Sequence, residues 1–269
     1  MKVSFLCATR SRFTKDNDLL KDSFDSIVNS IDEDNHKYIE FLARFDEDDY
    51  ESLKNFVKYT SENFPDVSVK CISGKRYGYI NQQKYINELC RIASGDLLWL
   101  WNDDVIIDSD DWYDTLYKQT NAGKDFKLWV CYSNMQSYSW WYWGQACFPI
   151  IPMSWYKVTK RFSPIWSCDT PVQMIAHSLD IYKYVDIFLI HDRPDMTGNV
   201  KGDDRTYQEG SWHAYDHSKI MKALPQLVED IFKLNDEFDL IDTPLQGQFP
   251  DWYVENLNEY KYLKQGREL

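Results

Sequence analysis

The clearest indication of the fold class is the segment Gly95-Asp96-Leu97-Leu98-Trp99-Leu100-Trp101-Asn102-Asp103-Asp104. Its central run, Leu97 to Trp101, is apolar at every position, which is typical of a strand buried on both faces. Such strands belong to parallel sheets that helices cover on both sides. Polar side chains follow at once, and ligands of these sheets bind beyond the carboxyl ends of the strands. The stretch therefore predicts a central strand that ends in a functional site.

Short apolar runs and helical stripes alternate before this stretch. The runs Val3 to Ala8, Tyr38 to Phe45 and Val67 to Ile72 are predicted strands. The stripes between them are Leu20, Phe24, Ile27, Val28 and Ile31; Leu53, Phe56 and Val57; and Ile86, Leu89, Ile92 and Ala93, the last closed by Gly95 as a C-cap. The alternation predicts an α/β fold with a mostly parallel, Rossmann-like central sheet flanked by helices. The loops after the first, second and fourth strands should converge on one crevice.

The second half of the chain is less regular, without a Ser- or Gly-rich linker before it. Predicted elements are a strand at Leu128 to Tyr132, a helix at Thr170 to Leu179 and a strand at Val185 to Ile190. A polar stretch from Asp192 to His217 has the length of a functional loop. A later helical stripe at Leu224, Leu227, Ile231 and Leu234 contains Pro225, which should start or kink that helix.

Composition narrows the class of protein. The 269 residues are 43% hydrophobic and 16% aromatic, which argues for a globular core and against disorder. Lys and Arg number 30 against 43 acids, and the net charge of −13 disfavours nucleic acid as a partner. No apolar run suits a membrane span or an export signal. The six cysteines form no CxxC pair and lie mostly in apolar runs, so we expect buried thiols in a cytoplasmic protein.

The acids after the central strand allow two interpretations. Asp103 and Asp104 could belong to a turn, followed by Asp108 to Asp111, which would cap a helix starting near Trp112. Carboxylates crowded at a strand end could instead bind Mg²⁺ or Mn²⁺ together with substrate phosphates.

A family resemblance favours the second interpretation. Gly78, Asn87, Ala93-Ser94-Gly95 and the strand into Asn102-Asp103-Asp104 resemble the run before the DxD motif of GT-A fold glycosyltransferases, especially family 2-like enzymes. The amino-terminal segment from Val3 to Arg12 is similar to the first strand and Thr-Arg loop of that family, and Phe45 to Asp49 resembles its second acidic motif. The resemblance covers residues 2 to 107 well and about 145 to 210 loosely. One difference is that Asn102 stands at the first DxD position.

The resemblance implies a nucleotide-sugar donor, UDP- or GDP-linked, and a Mn²⁺ or Mg²⁺ cofactor. Residues 1–125 would then form the nucleotide-sugar-binding half and residues 126–269 the acceptor-binding half. The implied nucleotide-side residues are Ala8, Thr9, Arg10, Arg12, Asp46, Asn102 and Asp103. Asp104 inherits the metal-ligand role, and His191, at the end of a predicted strand, would complete the site. A lone histidine could also be a polar core residue with satisfied hydrogen bonds.

Asp169 precedes the predicted helix at Thr170 to Leu179, where it could serve as an N-cap. The resemblance implies a general base at this place, which would make the transfer inverting. Trp141 and Trp143 lie in the aromatic string from Ser139 to Gly144 and could stack on a glycan or another hydroxyl acceptor. The same string leaves open a non-catalytic carbohydrate-binding protein. A nucleotidyltransferase is a further alternative, although no Gly-rich phosphate loop of the GxxxxGK[ST] type is present.

Overall fold

The computed structural model describes residues 1–10, 13–14, 18–78, 81–134, 137–138, 144–145, 147–165, 168–191 and 217–241. The strands in these residues are β1 (Val3–Thr9), β2 (Ile39–Asp46), β3 (Ser68–Gly74), β4 (Leu97–Trp101), β5 (Val105–Ile107), β6 (Leu128–Ser133), β7 (Ser137–Tyr138), β8 (Gly144–Gln145), β9 (Ile150–Pro152) and β10 (Tyr182–His191). The helices are α1 (Leu19–Val28), α2 (Tyr50–Asn63), α3 (Gln82–Ile92), α4 (Trp112–Gln119), α5 (Met153–Thr159), α6 (Asp169–Ser178) and α7 (His217–Phe238), with a 3-10 helix at Glu33–Tyr38.

Eight strands form one sheet in the order β3-β2-β1-β4-β9-β6-β10-β5. Strands β1 to β4, β6 and β10 run in one direction, whereas β9 and β5 run antiparallel to their neighbours. Strands β7 and β8 form a separate pair. Both halves of the chain supply strands to this one sheet, so residues from both halves can meet at its edge. The predicted α/β class with a mostly parallel sheet is confirmed.

Helices cover both faces of this sheet because the inner strands alternate two apolar sets. Leu6, Leu42 and Leu98 face the side where α3, α5, α6 and α7 pack. Phe5, Phe41 and Trp99 face the side of α1, α2 and α4. Aromatic rings fill this second side; for example, the ring of Phe5 lies 4.9 Å from Trp99 and 5.5 Å from Trp112, centroid to centroid. Burial of such rings stabilises the fold and accounts for much of the aromatic content.

The prediction that Gly95 caps helix α3 is wrong. Helix α3 ends at Ile92, with Ala93 as the C-cap, so Gly95 does not cap the helix. A Cβ on Gly95 would lie 2.6 Å from Oγ and 2.8 Å from N of Ser4. The chain needs glycine there because the backbone passes close to β1.

Other boundaries shift by small amounts. Helix α6 begins at Asp169, one residue before its predicted start. Val57, predicted to face the core, is 45% exposed, while Phe56 is fully buried. Pro225 lies inside α7 and not at its start. None of the six cysteines is in a disulfide, and four of them are buried. Within the described part of the chain, no helix combines the length and apolarity needed to cross a bilayer.

Candidate active site

The carboxyl ends of the parallel strands bring the predicted polar residues to one edge of the sheet. Strand β1 ends at Thr9, β2 at Asp46 and β10 at His191. Asn102 to Asp104 connect β4 to the antiparallel strand β5. Ligands of parallel sheets bind at this edge, as the sequence pattern predicts.

Helix α1 fixes the acidic connection between β4 and β5. The indole N–H of Trp101 donates to the Ser23 hydroxyl at 2.8 Å, and this hydroxyl donates to the carbonyl of Asn102 at 3.1 Å. The hydroxyl of Ser26 accepts from the backbone N–H of Ile107 at 3.1 Å. These bonds satisfy backbone groups of an irregular segment, so Asp103 and Asp104 project from a fixed backbone.

Asp104 and His191, the two predicted metal ligands, lie against each other. Oδ1 of Asp104 is 3.3 Å from Nε2 of His191, and both side chains are largely buried. The backbone N–H of His191 donates to Oδ1 of Asn134 at 2.9 Å, and the His191 ring meets Phe148 edge-on. Nδ1 of His191 has no hydrogen-bond partner among the residues that the structure describes.

The donor chemistry of this pair fits a divalent cation. A carboxylate oxygen is an acceptor, and so is an imidazole nitrogen that carries no hydrogen, so a proton or a cation must lie between them. Carboxylate and imidazole are both metal ligands, and the mixed pair is compatible with Mn²⁺. Across the described ranges, no group of three or more His, Cys, Asp or Glu side chains is placed to hold a metal. Further ligands would then be water and phosphate oxygens, as is usual for cations bound through one or two carboxylates.

Thr9 connects the first strand to the acidic segment. Its hydroxyl donates to Oδ2 of Asp103 at 2.5 Å, and both side chains are buried. Ala8, the preceding residue, lies opposite Arg44 of β2 in the parallel register and is half-buried. The hydrogen bond from Thr9 to Asp103 holds the loop after β1 against the loop after β4.

Arg10 connects the same loop to the end of β2. Its Nη1 donates to Oδ2 of Asp46 at 3.0 Å, and the guanidinium pairs with both carboxylate oxygens of Asp48. The hydrogen bond from Arg10 lowers the pKa of Asp48, and the bond to Asp48 raises the pKa of Arg10. The arginine is therefore always charged and is held at the edge of the site.

Asp169 lies at the start of α6, preceded by Cys168 as the N-cap. Its Oδ1 accepts from the backbone N–H of Thr170 at 2.8 Å. Helix α6 packs on β10 and joins it through the short link Leu179–Ile181, so the two elements run antiparallel. The start of α6 and the end of β10 consequently lie at the same end of the sheet.

Three predicted site residues, Arg12, Trp141 and Trp143, lie outside the described residues. So do Trp140, Tyr142 and most of the polar stretch from Asp192 to His217. The structure brings together Thr9, Arg10, Asp46, Asp103, Asp104 and His191 as pairs along one edge. Asn102 shares the β4–β5 connection, where its carbonyl contacts Ser23.

Two contacting residues were missed by the sequence analysis. Asn134 follows β6 and binds the backbone of His191, and Tyr85 of α3 donates to Asp46 at 3.0 Å. Asn134 carried a signal, since it is a polar residue directly after a predicted strand. Tyr85 carried none, because its spacing is typical of a core residue on the helix.

Comparison with known proteins supports this architecture. No protein-family model matches the sequence, and no curated protein matches it either. Solved structures do match in fold. The mannosyltransferase PcManGT from Pyrobaculum calidifontis, in complex with GDP-Man and Mn²⁺, aligns with a TM-score of 0.57 and 14% identity over 97% of this chain and 69% of that one. TarS residues 1–349 from S. aureus, in complex with UDP, align with a TM-score of 0.51 and 11% identity over 93% and 97%.

The chain has a GT-A-like fold. The fold implied by the sequence resemblance is thus confirmed, with both halves of the chain included in the alignment. At this level of identity the likeness concerns the fold. The roles of individual residues rest on the contacts described above.

Proposed function

We propose that this protein is a metal-dependent glycosyltransferase that moves a sugar from a nucleoside-diphosphate sugar to an acceptor hydroxyl. The observation that carries the proposal is the Asp104–His191 pair, 3.3 Å apart, at the carboxyl edge of a GT-A-like sheet. The neighbouring Thr9–Asp103 and Arg10–Asp46 pairs supply polar and cationic groups at the same edge. Similar solved structures contain GDP-Man with Mn²⁺ in one case and UDP in another, which supports a UDP- or GDP-sugar as donor.

The donor would bind across the loops after β1, β2 and β4. The guanidinium of Arg10 pairs with Asp46 and Asp48 in the structure, and it would exchange the exposed Asp48 carboxylate for phosphate oxygens, with which a guanidinium fork pairs well. Asp46 accepts N–H groups of the base or hydroxyls of the ribose, and Asn102 and Asp103 face the ribose. Ala8, Thr9 and Arg12 complete the nucleotide side. This assignment gives residues 1–125 the donor and residues 126–269 the acceptor.

Asp104 and His191 would hold Mn²⁺ or Mg²⁺ beside the diphosphate. Such a cation stabilises the charge that develops on the leaving diphosphate. The chain's own contribution is to hold the two ligands in register before the donor binds. Asn134 fixes the backbone of His191, and Ser23 fixes the segment that carries Asp104.

Asp169 would take the proton from the acceptor hydroxyl, giving inversion at the anomeric carbon. Two observations support this role: the carboxylate stands in the first turn of α6, and α6 starts at the same end of the sheet as His191. The acceptor would be a glycan or another hydroxyl compound stacked on Trp141 and Trp143. Six cysteines without a disulfide suit a cytoplasmic enzyme.

The decisive experiment is calorimetric binding of UDP, GDP, UDP-GlcNAc and GDP-Man, each with Mn²⁺, with Mg²⁺ and with EDTA. We expect one nucleotide series to bind with a divalent cation and to be released by EDTA. Slow hydrolysis of the matching sugar donor should accompany binding. If the folded protein retains none of these compounds with Mn²⁺ or Mg²⁺, the proposal is wrong.

A further inference from the structure

The hydroxyl of Tyr85 makes three hydrogen bonds that determine where its proton points. The backbone N–H groups of Tyr77 and Gly78 donate to it at 2.5 and 3.0 Å, and it lies 3.0 Å from Oδ1 of Asp46. A phenol has one proton and can only accept from an N–H group. Its proton must therefore go to the carboxylate of Asp46.

Tyr85 and Arg10 hold the two oxygens of Asp46 separately. Tyr85 donates to Oδ1, whereas Arg10 donates to Oδ2 at 3.0 Å. Asp46 is 5% and Tyr85 8% exposed, so little water competes for these bonds. Burial raises the pKa of Tyr85, which keeps the phenol protonated and able to donate at neutral pH. The plane of the Asp46 carboxylate is fixed before any ligand arrives.

A buried cation, Arg44, anchors the loop that Tyr85 grips. Its guanidinium lies 5.0 Å from the centre of the Tyr85 ring and 5.7 Å from that of Tyr77. It donates to the carbonyls of Gly74 and Lys75 at 3.2 and 2.8 Å. Its side chain is 1% exposed, so the contact is desolvated. Arg44 thus holds the loop from Gly74 to Gly78 through two carbonyl groups, and Tyr85 holds it through two backbone N–H groups.

We propose that Tyr85 is a positioning residue for nucleobase recognition. It orients the Asp46 carboxylate toward N–H groups of the donor's base, and it connects that orientation to the loop at 74–78. The inference rests on the proposed function, since it assigns Asp46 to the base or ribose of a nucleotide. Tyr85 therefore contributes to affinity for the nucleoside and not to affinity for the diphosphate.

The test is the variant Tyr85→Phe, with Tyr59→Phe as its matched control. Tyr59 also donates to a carboxylate, Asp25, at 2.7 Å, but between helices α1 and α2. Both variants lose one tyrosine–carboxylate bond. Affinities for UDP, GDP and inorganic pyrophosphate are measured with Mn²⁺. We expect Tyr85→Phe to bind its nucleotide roughly tenfold more weakly, the usual effect of one hydrogen bond to a charged group. Its pyrophosphate affinity should not change, and Tyr59→Phe should bind both as the wild type does.

A double variant tests whether Tyr85 acts through Asp46. In an Asp46→Asn background, Tyr85→Phe should cause little further loss of nucleotide affinity, because the oriented carboxylate is already absent. Additive losses overturn the positioning role, and so do equal losses for nucleotide and pyrophosphate.

A measurement on the unmutated chain covers the case in which Tyr85→Phe does not fold. The shielded hydroxyl proton of Tyr85 should give a downfield NMR signal that shifts on addition of nucleotide with Mg²⁺, which is diamagnetic and does not broaden the signal. If the chemical shift of this signal does not change when nucleotide binds, the positioning role of Tyr85 is wrong, while the proposed function stands. A wild-type protein that binds neither nucleotide nor pyrophosphate overturns the proposed function as well.

Discussion

Nε2 of His191 lies 3.3 Å from Oδ1 of Asp104 because β5 and β10 pair antiparallel, with Val105 opposite His191. Asp104 directly precedes Val105, so the register of this short pairing sets the distance between the two side chains. The proposed metal site and the pairing of β5 at the sheet edge are therefore one structural unit. A change that loosens β5 should also weaken the cation site.

Removing either side chain of the pair should abolish metal-dependent turnover. For Asp104→Ala and His191→Ala we expect a loss of metal affinity of about 100-fold or more, since each removes one of two protein ligands. Melting temperatures measure the structural cost separately, and this cost should be larger for His191→Ala, because the His191 ring packs against the buried ring of Phe148. Mn²⁺ titration with UDP or GDP present measures the effect. Asp108→Ala, at an exposed aspartate shortly after the same segment, is the control and should bind Mn²⁺ normally. Full turnover in Asp104→Ala would contradict the site.

The variant Asp169→Asn separates the cap-like contact from base catalysis. Asparagine keeps a side-chain oxygen that can accept from the N–H of Thr170, so α6 should remain intact. It cannot take a proton, so transfer to an acceptor should fall by about 10²-fold or more. Donor affinity, measured by calorimetry, should remain within about twofold. Parallel losses of donor binding and transfer would point to a structural role alone.

Strands with a distinct run of apolar residues were predicted correctly from the sequence. Strand β4 was predicted at Leu97 to Trp101 and is found there, because an all-apolar run between a glycine and three polar residues has clear ends. The six parallel strands were all predicted within a few residues, since each has its own apolar run. The shared edge of Asp46, Asp104 and His191 then follows from strand direction alone.

Contacts between distant elements were not predictable. Strands β5 and β9 have three residues each, too few for a periodic signal. Yet β9 joins β4 to β6 in the sheet, and β5 sets the register of His191. The Tyr85–Asp46 bond joins α3 to the end of β2, with α2 and β3 between them along the chain, and helical spacing could not indicate it. Gly95 was misassigned as a cap because a glycine after a helix is usually one, whereas here the approach of Ser4 requires it.

Glu40 should stabilise the protein at neutral pH and lose that effect in acid. The carboxylate is fully buried, which by itself raises its pKa, but hydrogen bonds from Lys70, Ser4 and Ser94 outweigh burial and lower the pKa from 4.5 to about 2. The unfolded chain therefore takes up the proton first, so the stabilisation is complete above pH 4.5 and is lost as the pH falls through 2.

Chemical unfolding of Glu40→Gln measures this contribution. We expect the variant to be less stable than the wild type by roughly 2 kcal/mol at pH 7, allowing for screening at the exposed Lys70. The difference should shrink toward zero near pH 2. The control Glu62→Gln removes an exposed carboxylate 4.0 Å from Lys58 and should change stability by less than about 0.5 kcal/mol. A pH-independent difference for Glu40→Gln would contradict the assignment.

His177 should cause a separate loss of stability at milder acidity. Burial lowers its pKa to about 4, against an opposing effect of Asp180, and its ring stacks on Tyr182 with centroids 4.1 Å apart. Because the unfolded chain gains this proton near pH 6.5, stability should fall between pH 6.5 and 4. The variant His177→Phe keeps an aromatic ring for stacking but does not titrate. Its unfolding free energy should vary less over that interval than that of the wild type, and an unchanged slope would show that another group titrates there.

The variant Gly95→Ala should destabilise the fold without touching the proposed site. The added Cβ would lie 2.6 Å from Oγ of Ser4 and 2.8 Å from its backbone N, closer than atoms can approach. Strand β1 would have to shift, and overpacking of this kind costs about 1–3 kcal/mol. Urea unfolding measures the loss. A double variant with Ser4→Ala removes the Oγ but not the backbone clash, so it should recover part of the loss relative to the sum of the single changes. Strict additivity would mean that the clash with Oγ of Ser4 is not part of the cause. Mn²⁺-dependent nucleotide binding by folded Gly95→Ala should match the wild type.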